Sequence, residues 1–293
     1  MFTRIPVASN YVLTLISLLI KVLDWGKLCV LYSKDTSNKS AYAALIENIK
    51  EFGLEILNAE SLRGIPDNLN RTTIKHYTSS FQAVIDTQAR VLVLLFMLPE
   101  IYYALEELYD LGLRKGDLVI FVTGPLFLTM TQYDFIYTCK LEETEVQMIA
   151  ISGQSWVGKV GQFAYSKIES LYGAAPYQYA CNYYDAAYYI AVALDYMINQ
   201  GLDYYDPYQL NLTLRAQRFT GCTGKFSVDK DSNNRIMENF DISVNKIDVT
   251  SGNVTAYKAG EFHPYSSIML TIDVPILYGD GSTIKPEELT RYE

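Results

Sequence analysis

Histidine is nearly missing from this chain: two residues, His76 and His263, stand among 293. One lies in a polar stretch and the other is flanked by Pro264, so neither has the setting of a catalytic base. The four cysteines, Cys29, Cys139, Cys181 and Cys222, form no CxxC pair, which with so little histidine excludes a zinc site. Also lacking are a G-x-G-x-x-G turn, a complete phosphate-binding GxxxxGK[ST] loop and a G-x-S-x-G elbow, so nucleotide chemistry and serine hydrolysis have no residues to carry them. The acidic run Asp134, Glu142, Glu143 and Glu145 has nothing around it that would place a carboxylate in a cleft and raise its pKa. The chain is read as no enzyme and as needing no cofactor or metal. A basic stripe is missing as well, since 24 Lys and Arg are dispersed in a chain of net charge -9; nucleic acid is excluded as a partner.

Long apolar runs are scarce too. No window reaches the eighteen or so uninterrupted apolar residues of a membrane span, so any membrane attachment requires a segment outside these residues. "MFTRIPVASNYVLTLISLLIKVL" has the length of a signal peptide, but no small-x-small site follows it. Thr14, Ser17 and Lys21 punctuate the run at one-turn spacing, as on the polar side of an amphipathic helix. Four glycosylation sequons, at Asn38, Asn70, Asn211 and Asn253, incline the chain to an extracellular or lumenal location; chance occurrence is the alternative.

What is present is a βαβ alternation. Leu28 to Tyr32 is apolar without polar alternation, as strands covered on both faces are. A helix follows, with Ser37, Asn38 and Ser40 as cap candidates and Gly53 as its stop, and then a strand over Leu54 to Ala59. "ARVLVLLF" and "DLVIFVTG" repeat the pattern, with a helix from Pro99 to Gly112 between them. Parallel strands deliver their following loops to one edge, so 33–38, 96–100 and 123–125 converge there. After residue 150 two helices, "VGKVGQFAYSKIESLYG" and "NYYDAAYYIAVALDYMINQG", precede short strands; Asn182 and Asp185 read as the start of the second.

The order of these pieces resembles the receptor-family ligand-binding region, the type I periplasmic-binding-protein fold of natriuretic-peptide and metabotropic glutamate receptors and of branched-chain amino-acid-binding proteins. "FTRIPVASNYVLTLISLLIKVLDWGKLCVLYSKD" is similar to that family's crossover into lobe 2, with Arg4, Tyr11, Trp25-Gly26 and Ser33 at family positions. "NYYDAAYYIAVAL" resembles its Tyr-Asp-Ala helix, and "FTGCTGKFSVDKDSNNRIMENFDI" its Phe-x-Gly-x-Thr-Gly signature. "PILYGDGSTIKPEE" is similar to the stretch that closes the domain.

The resemblance implies an α/β, two-lobed fold of parallel sheets flanked by helices. It divides the chain into a crossover and first helix (1–24), lobe 2 (25–150 plus 239–247), a partial lobe 1 (155–235) and a C-terminal exit segment (248–293). The family's strands that precede the crossover are not in this chain, so lobe 1 is expected to be incomplete, with "MIAISGQ" and "GKFSVD" as its strands. A missing N-terminal segment or a second polypeptide would complete it, and a dimer is a separate expectation.

The implied function is a ligand-sensing module whose lobes close on a small molecule and relay closure to a following segment. The alternatives are an interaction module that pairs through lobe 1, or the substrate-binding protein of a transporter. Ligand contacts are expected at Ser9, Ser33, Asp35, Ser37, Phe96, Thr123 and Tyr184; the competing reading makes Ser33 and Thr123 helix caps and Phe96 core. Ser9 stands where the family has Asp, and Asp35-Thr36-Ser37-Asn38 where it has Asp-x-Tyr-Gly, which argues against an amino-acid ligand. Cys181 and Cys222 both fall in the lobe 1 segment and are candidates for a disulfide, with buried free thiols as the alternative. Cys29, central in a buried strand, is expected to be reduced.

Overall fold

A computed structural model describes residues 9–62, 78–96, 101, 104, 107–108, 110–112, 118–123, 147–153, 156–174, 176, 180–229, 235–236, 240–248, 253–263 and 269–272. The chain divides into two compact units: unit 1 comprises Met1–Ala8, Gly153–Asp241 and Phe262–Leu270, and unit 2 comprises Ser9–Ser152, Ile242–Glu261 and Thr271–Glu293.

Unit 2 begins with α1 (Ser9–Val22), then β1 (Lys27–Ser33), α2 (Thr36–Phe52), β2 (Glu55–Leu62), α3 (Thr78–Asp86), β3 (Val91–Leu95), β4 (Val119–Thr123) and β5 (Gln147–Gly153). Strands β1 to β5 are parallel, in the spatial order β5-β4-β3-β1-β2. The reason lies in composition. Leu28, Cys29, Val30 and Leu31 of β1, Val91–Leu95 and Ile120, Phe121 and Val122 of β4 are all buried, so both faces of the sheet require helices. Ile101, Ala104 and Leu108, helical and buried, join Phe81 and Val84 of α3 in the core on one side.

Helix α1 is more buried than its pattern suggests. Leu13, Leu15, Ile16, Leu19 and Ile20 are core residues, but so is Ser17, which was expected on a polar face. Its hydroxyl donates to the Leu13 carbonyl at 3.0 Å, so the polar atom is satisfied within its own helix. The helix packs against α2 and β4, and Thr14 bonds Asn48 of α2 at 3.1 Å. Helix α2 is set by its ends: Asp35 caps its N-terminus, and Gly53, at φ 69°, makes the left-handed exit.

Unit 1 contains α4 (Gly158–Tyr172), α5 (Ala180–Asn199), α6 (Pro207–Ala216) and the antiparallel sheet β6 (Phe219–Gly221), β7 (Gly224–Val228) and β8 (Arg235–Ile236). Cys181, Asp185, Tyr189, Ala193 and Met197 form the buried face of α5 at four-residue spacing. Tyr189 packs on Phe226 and Val228, with Phe219 stacked on Phe226.

Several expectations change. The run "MIAISGQ" is not a lobe 1 strand; as β5 it pairs with β4, because an apolar strand beside an open parallel edge completes the ladder. The segment 248–293 is not merely an exit: β10 (Asn253–His263) and β11 (Met269–Ile272) extend the same sheet beyond β9 (Phe240–Asp248), in the order β11-β10-β9-β5. The run NVTAYKAGEFH contains β-branched and aromatic residue types that favour strands, a signal that a Gly and Pro count obscures. Residues 9–24, assigned with the crossover, lie in unit 2. Helix α5 starts at Ala180, five residues before Asp185.

Leu19, 1% exposed, tests whether α1 is part of the cooperative fold. Leu19→Ala is expected to destabilise unit 2 by about 3 kcal/mol, within the usual range for a buried Leu→Ala change, measured by urea denaturation. An unchanged midpoint would show α1 to be dispensable.

Candidate functional site

The order β5-β4-β3-β1-β2 contains a reversal. After β1 the chain goes on to β2 on one side, and after β3 it goes on to β4 on the other. The connections leaving the carboxyl ends of β1 and β3 therefore diverge, and open α/β sheets bind ligands at such a switch point. Registers place the expected residues along this edge. Ser33 pairs with Leu62, Tyr32 with Leu95, and Leu94 with Val122, so Ser33, Phe96 and Thr123 end three adjacent strands.

The individual placements differ. Ser33 is buried, 2% exposed, and Phe96 belongs to the hydrophobic core, so of these two only Ser33 brings a polar group to the edge. Asp35 is exposed and N-caps α2; one carboxylate oxygen accepts from the Asn38 amide at 2.8 Å and the other from the Asn38 side chain at 2.7 Å. Ser37 lies in the first turn of α2 and Thr123 is the last residue of β4. Beside them Tyr32 of β1 stacks on Tyr42 of α2, with centroids 4.1 Å apart and planes 9° from parallel. Burial, and then the neighbouring Tyr32, raise the Tyr42 pKa and keep this phenol protonated. The tyrosine pair was not singled out from the sequence, although its position ten residues apart on a strand end and the following helix was available.

Ser9 starts α1 and so belongs to unit 2, while Tyr184 is on α5 of unit 1, 37% exposed and stacked on Tyr188. Among the sequons, Asn38 lies in α2, Asn211 in α6 and Asn253 at the start of β10; Asn70 is outside the described residues, as are Asp134, Glu142, Glu143, Glu145, His76 and Cys139. Cys29 is a buried free thiol against Thr87, with its pKa raised by burial. Among the described residues no cluster of His, Cys, Asp or Glu could hold a metal, and no helix is long and apolar enough to cross a membrane.

Unit 1 holds a buried polar centre that the sequence reading misassigned. Asp185, expected to start a helix, lies inside α5 and is fully buried. Its Oδ1 accepts from the Cys222 amide at 2.6 Å, and its Oδ2 from the Thr223 amide at 3.1 Å and the Thr223 hydroxyl. Arg235, also fully buried, stands with Nη1 3.9 Å from the same oxygen, and its Nη2 donates to the Thr223 hydroxyl. Phe226 lies beneath the guanidinium, 4.8 Å from ring centroid to Cζ. Desolvation lowers the Arg235 pKa from its ordinary value to about 10, against the opposing pull of Asp185. Cys181 and Cys222 are joined by a disulfide, with Cα atoms 5.4 Å apart.

The two members of this pair are not equivalent. Asp185→Ala strands three donors and an unpaired buried cation, and is expected to cost about 3–5 kcal/mol. Arg235→Met also leaves a buried charge without its partner, but the carboxylate keeps its three hydrogen bonds, so the loss is expected at the low end of the same range, about 3 kcal/mol. Chemical denaturation of both variants checks the order; a larger loss for Arg235→Met would overturn it.

Comparisons with known proteins place this geometry. The model of the receptor family ligand-binding region matches residues 1–244. No curated protein matches the chain in sequence. Among solved structures, the chain is similar to the leucine-binding protein LivK from Thermotoga maritima, with TM-score 0.67 and 14% identity over 89% of this chain and 68% of that one. It is also similar to a solute-binding protein of an ABC transporter from R. palustris in complex with benzoate, with TM-score 0.62 and 12% identity over 87% of this chain. The chain spans 64% of the length of that R. palustris protein.

Proposed function

The chain belongs to the receptor family of ligand-binding regions, and from that premise we propose that it is a non-catalytic sensing module that binds a small molecule at the switch point between β1 and β3. The observation that carries the reading is the reversal of strand order there, with Ser33 and the first turn of α2 on one side and the end of β4 nearby. Ser33 and Asp35 supply polar contacts, Tyr32 and Tyr42 an aromatic wall, and Phe96 the apolar floor, with Ser37 in the first turn of α2 and Thr123 at the end of β4 as further candidates. Ser9, at the start of α1, and Tyr184, on α5 of unit 1, remain further candidates. The similar solved proteins carry benzoate and leucine in their names, which supports a small organic ligand rather than a macromolecule. Extracellular or lumenal residence is supported by the disulfide. A ligand favours the bound form only through its additional contacts there, so signalling to a following segment and delivery to a transporter use the same binding step.

Asp35→Asn provides the test, because Asn caps a helix as well as Asp does but carries no charge. A thermal-shift screen of small metabolites is expected to find a stabilising compound, and Asp35→Asn combined with Thr123→Ala to weaken it at least tenfold with the unliganded melting temperature within about 2 °C. Stabilisation that persists in the double variant would place the site elsewhere.

A second reading is favoured by one surface. Tyr183, Ile190 and Ile198 of α5 are 76%, 49% and 61% exposed and recur on one side of the helix with Ala187 and Leu194. Roughly a third of each similar solved chain has no counterpart here. In this reading a further polypeptide segment covers α5, and unit 1 is completed by pairing. The expected outcome by light scattering is self-association of the isolated chain, relieved by Ile190→Asp with Ile198→Asp. A monomer across the concentration range would remove this reading.

A further inference from the structure

The disulfide has a neighbour that its covalent role does not require. The Trp156 amide donates to the Cys181 sulfur at 3.0 Å, and the next amide, Val157, donates to the Cys222 carbonyl at 2.8 Å. Both halves of the cystine thus hold the two residues that immediately precede α4. These two residues follow the division between units at Ser152 and Gly153. Trp156 has a positive φ of 60°, which a bulky residue adopts only when its surroundings impose it.

The packing leaves little freedom. A Cβ on Gly161 would lie 2.3 Å from the Trp156 carbonyl carbon and 2.8 Å from the Cys222 oxygen, so α4, the Trp156 turn and the cystine meet backbone to backbone. A Cβ on Gly221 would lie 2.2 Å from Asp185 Oδ1, so the other side of Cys222 is equally closed. Trp156 packs against the cluster of Ala164, Cys181 and Cys222, and its ring meets Tyr165 edge to face at 5.4 Å. Val157, at the N-cap of α4, offers no side-chain cap, so the helix start relies on this backbone anchorage.

We propose that the Cys181–Cys222 disulfide is a clamp that fixes the Trp156–Val157 turn, so that oxidation of this pair sets the path by which the chain reaches α4. The chemistry is a thiol–disulfide exchange. Two protein thiols give two electrons and two protons to a small disulfide oxidant, which leaves as two thiols; a dithiol reductant reverses the step and becomes a cyclic disulfide. With the bond open, Cys181 and Cys222 are no longer held together, while Asp185 still binds the Cys222 and Thr223 amides. Loss of order is then concentrated in the turn rather than spread through α5.

Residue-resolved amide exchange on the full chain, oxidised and after dithiothreitol, tests this clamp. Exchange at Trp156 and Val157 is expected to accelerate at least tenfold, while Tyr189, Ala193 and Met197 of α5 and strands β1 and β3 keep their rates. A Cys181→Ser, Cys222→Ser double variant should reproduce the reduced pattern without reductant. Unchanged exchange at Trp156 and Val157 would overturn the proposal, and so would acceleration extending equally along α5, which would make the disulfide a general staple of unit 1.

Discussion

Burial of the central strands on both faces is the constraint on which unit 2 depends. A strand such as Val91–Leu95, in which every residue is buried, cannot stand at the surface, and its apolar side chains exclude water from both sides. Each fully buried Val or Leu contributes about 1.5–3 kcal/mol, enough to order α1, α2 and α3 against the sheet. The helices must cover the faces, so polar residues are displaced to where strands end. Ser33 sits at such an end, with Asp35 just beyond it and Asn38 in the first turn of α2. The candidate ligand edge therefore arises from the packing of the sheet itself.

Unit 1 rests on a different kind of interaction. Its small antiparallel sheet offers only a short apolar row, Phe219, Phe226 and Val228 against Tyr189, and α5 is joined to it also by a carboxylate, a guanidinium and a disulfide. A buried ion pair is a poor source of net stability, since desolvation of both charges offsets their attraction. What it supplies is position. Asp185 accepts from two consecutive amides of the turn between β6 and β7, and the contact is closed enough that Gly221 has no room for a side chain. A shift of one residue in the hairpin would leave these donors and the carboxylate unsatisfied.

Legibility in the sequence followed the same division. The unbroken apolar runs and the Gly53 stop made β1, α2, β3 and β4 readable, because burial on two faces leaves a local signature, although the cap of α2 is Asp35 and the expected Ser37, Asn38 and Ser40 lie inside the helix. The parallel edge and the order of Ser33, Phe96 and Thr123 came with it. What was not readable depended on distant partners. Ser17 looked like a polar-face residue because its acceptor, the Leu13 carbonyl, is backbone and invisible in a pattern of side chains. Asp185 looked like a cap because its donors lie 37 and 38 residues away. Strands β10 and β11 were hidden by turn-forming composition around them, and β5 was assigned to the wrong sheet because a strand's neighbour is not written in the strand.

The chemistry of the two units also determines which one responds to its surroundings. In unit 2 the fixed contacts are apolar, and the free thiol of Cys29 is buried with a raised pKa, so neither redox state nor moderate pH reaches them. In unit 1 the folded state depresses the Arg235 pKa, so its burial opposes folding wherever the guanidinium is charged. That cost is present in full below about pH 10 and is relieved as the pH rises from there towards the ordinary arginine pKa. Across the neutral range the arginine contribution is flat. The bond between Cys181 and Cys222 is then the element of that centre whose covalent state depends on the compartment, and an oxidising environment holds it closed. With that bond closed, unit 2 is held by packing written along its strands, and unit 1 by its short apolar row together with a cross-link made after synthesis.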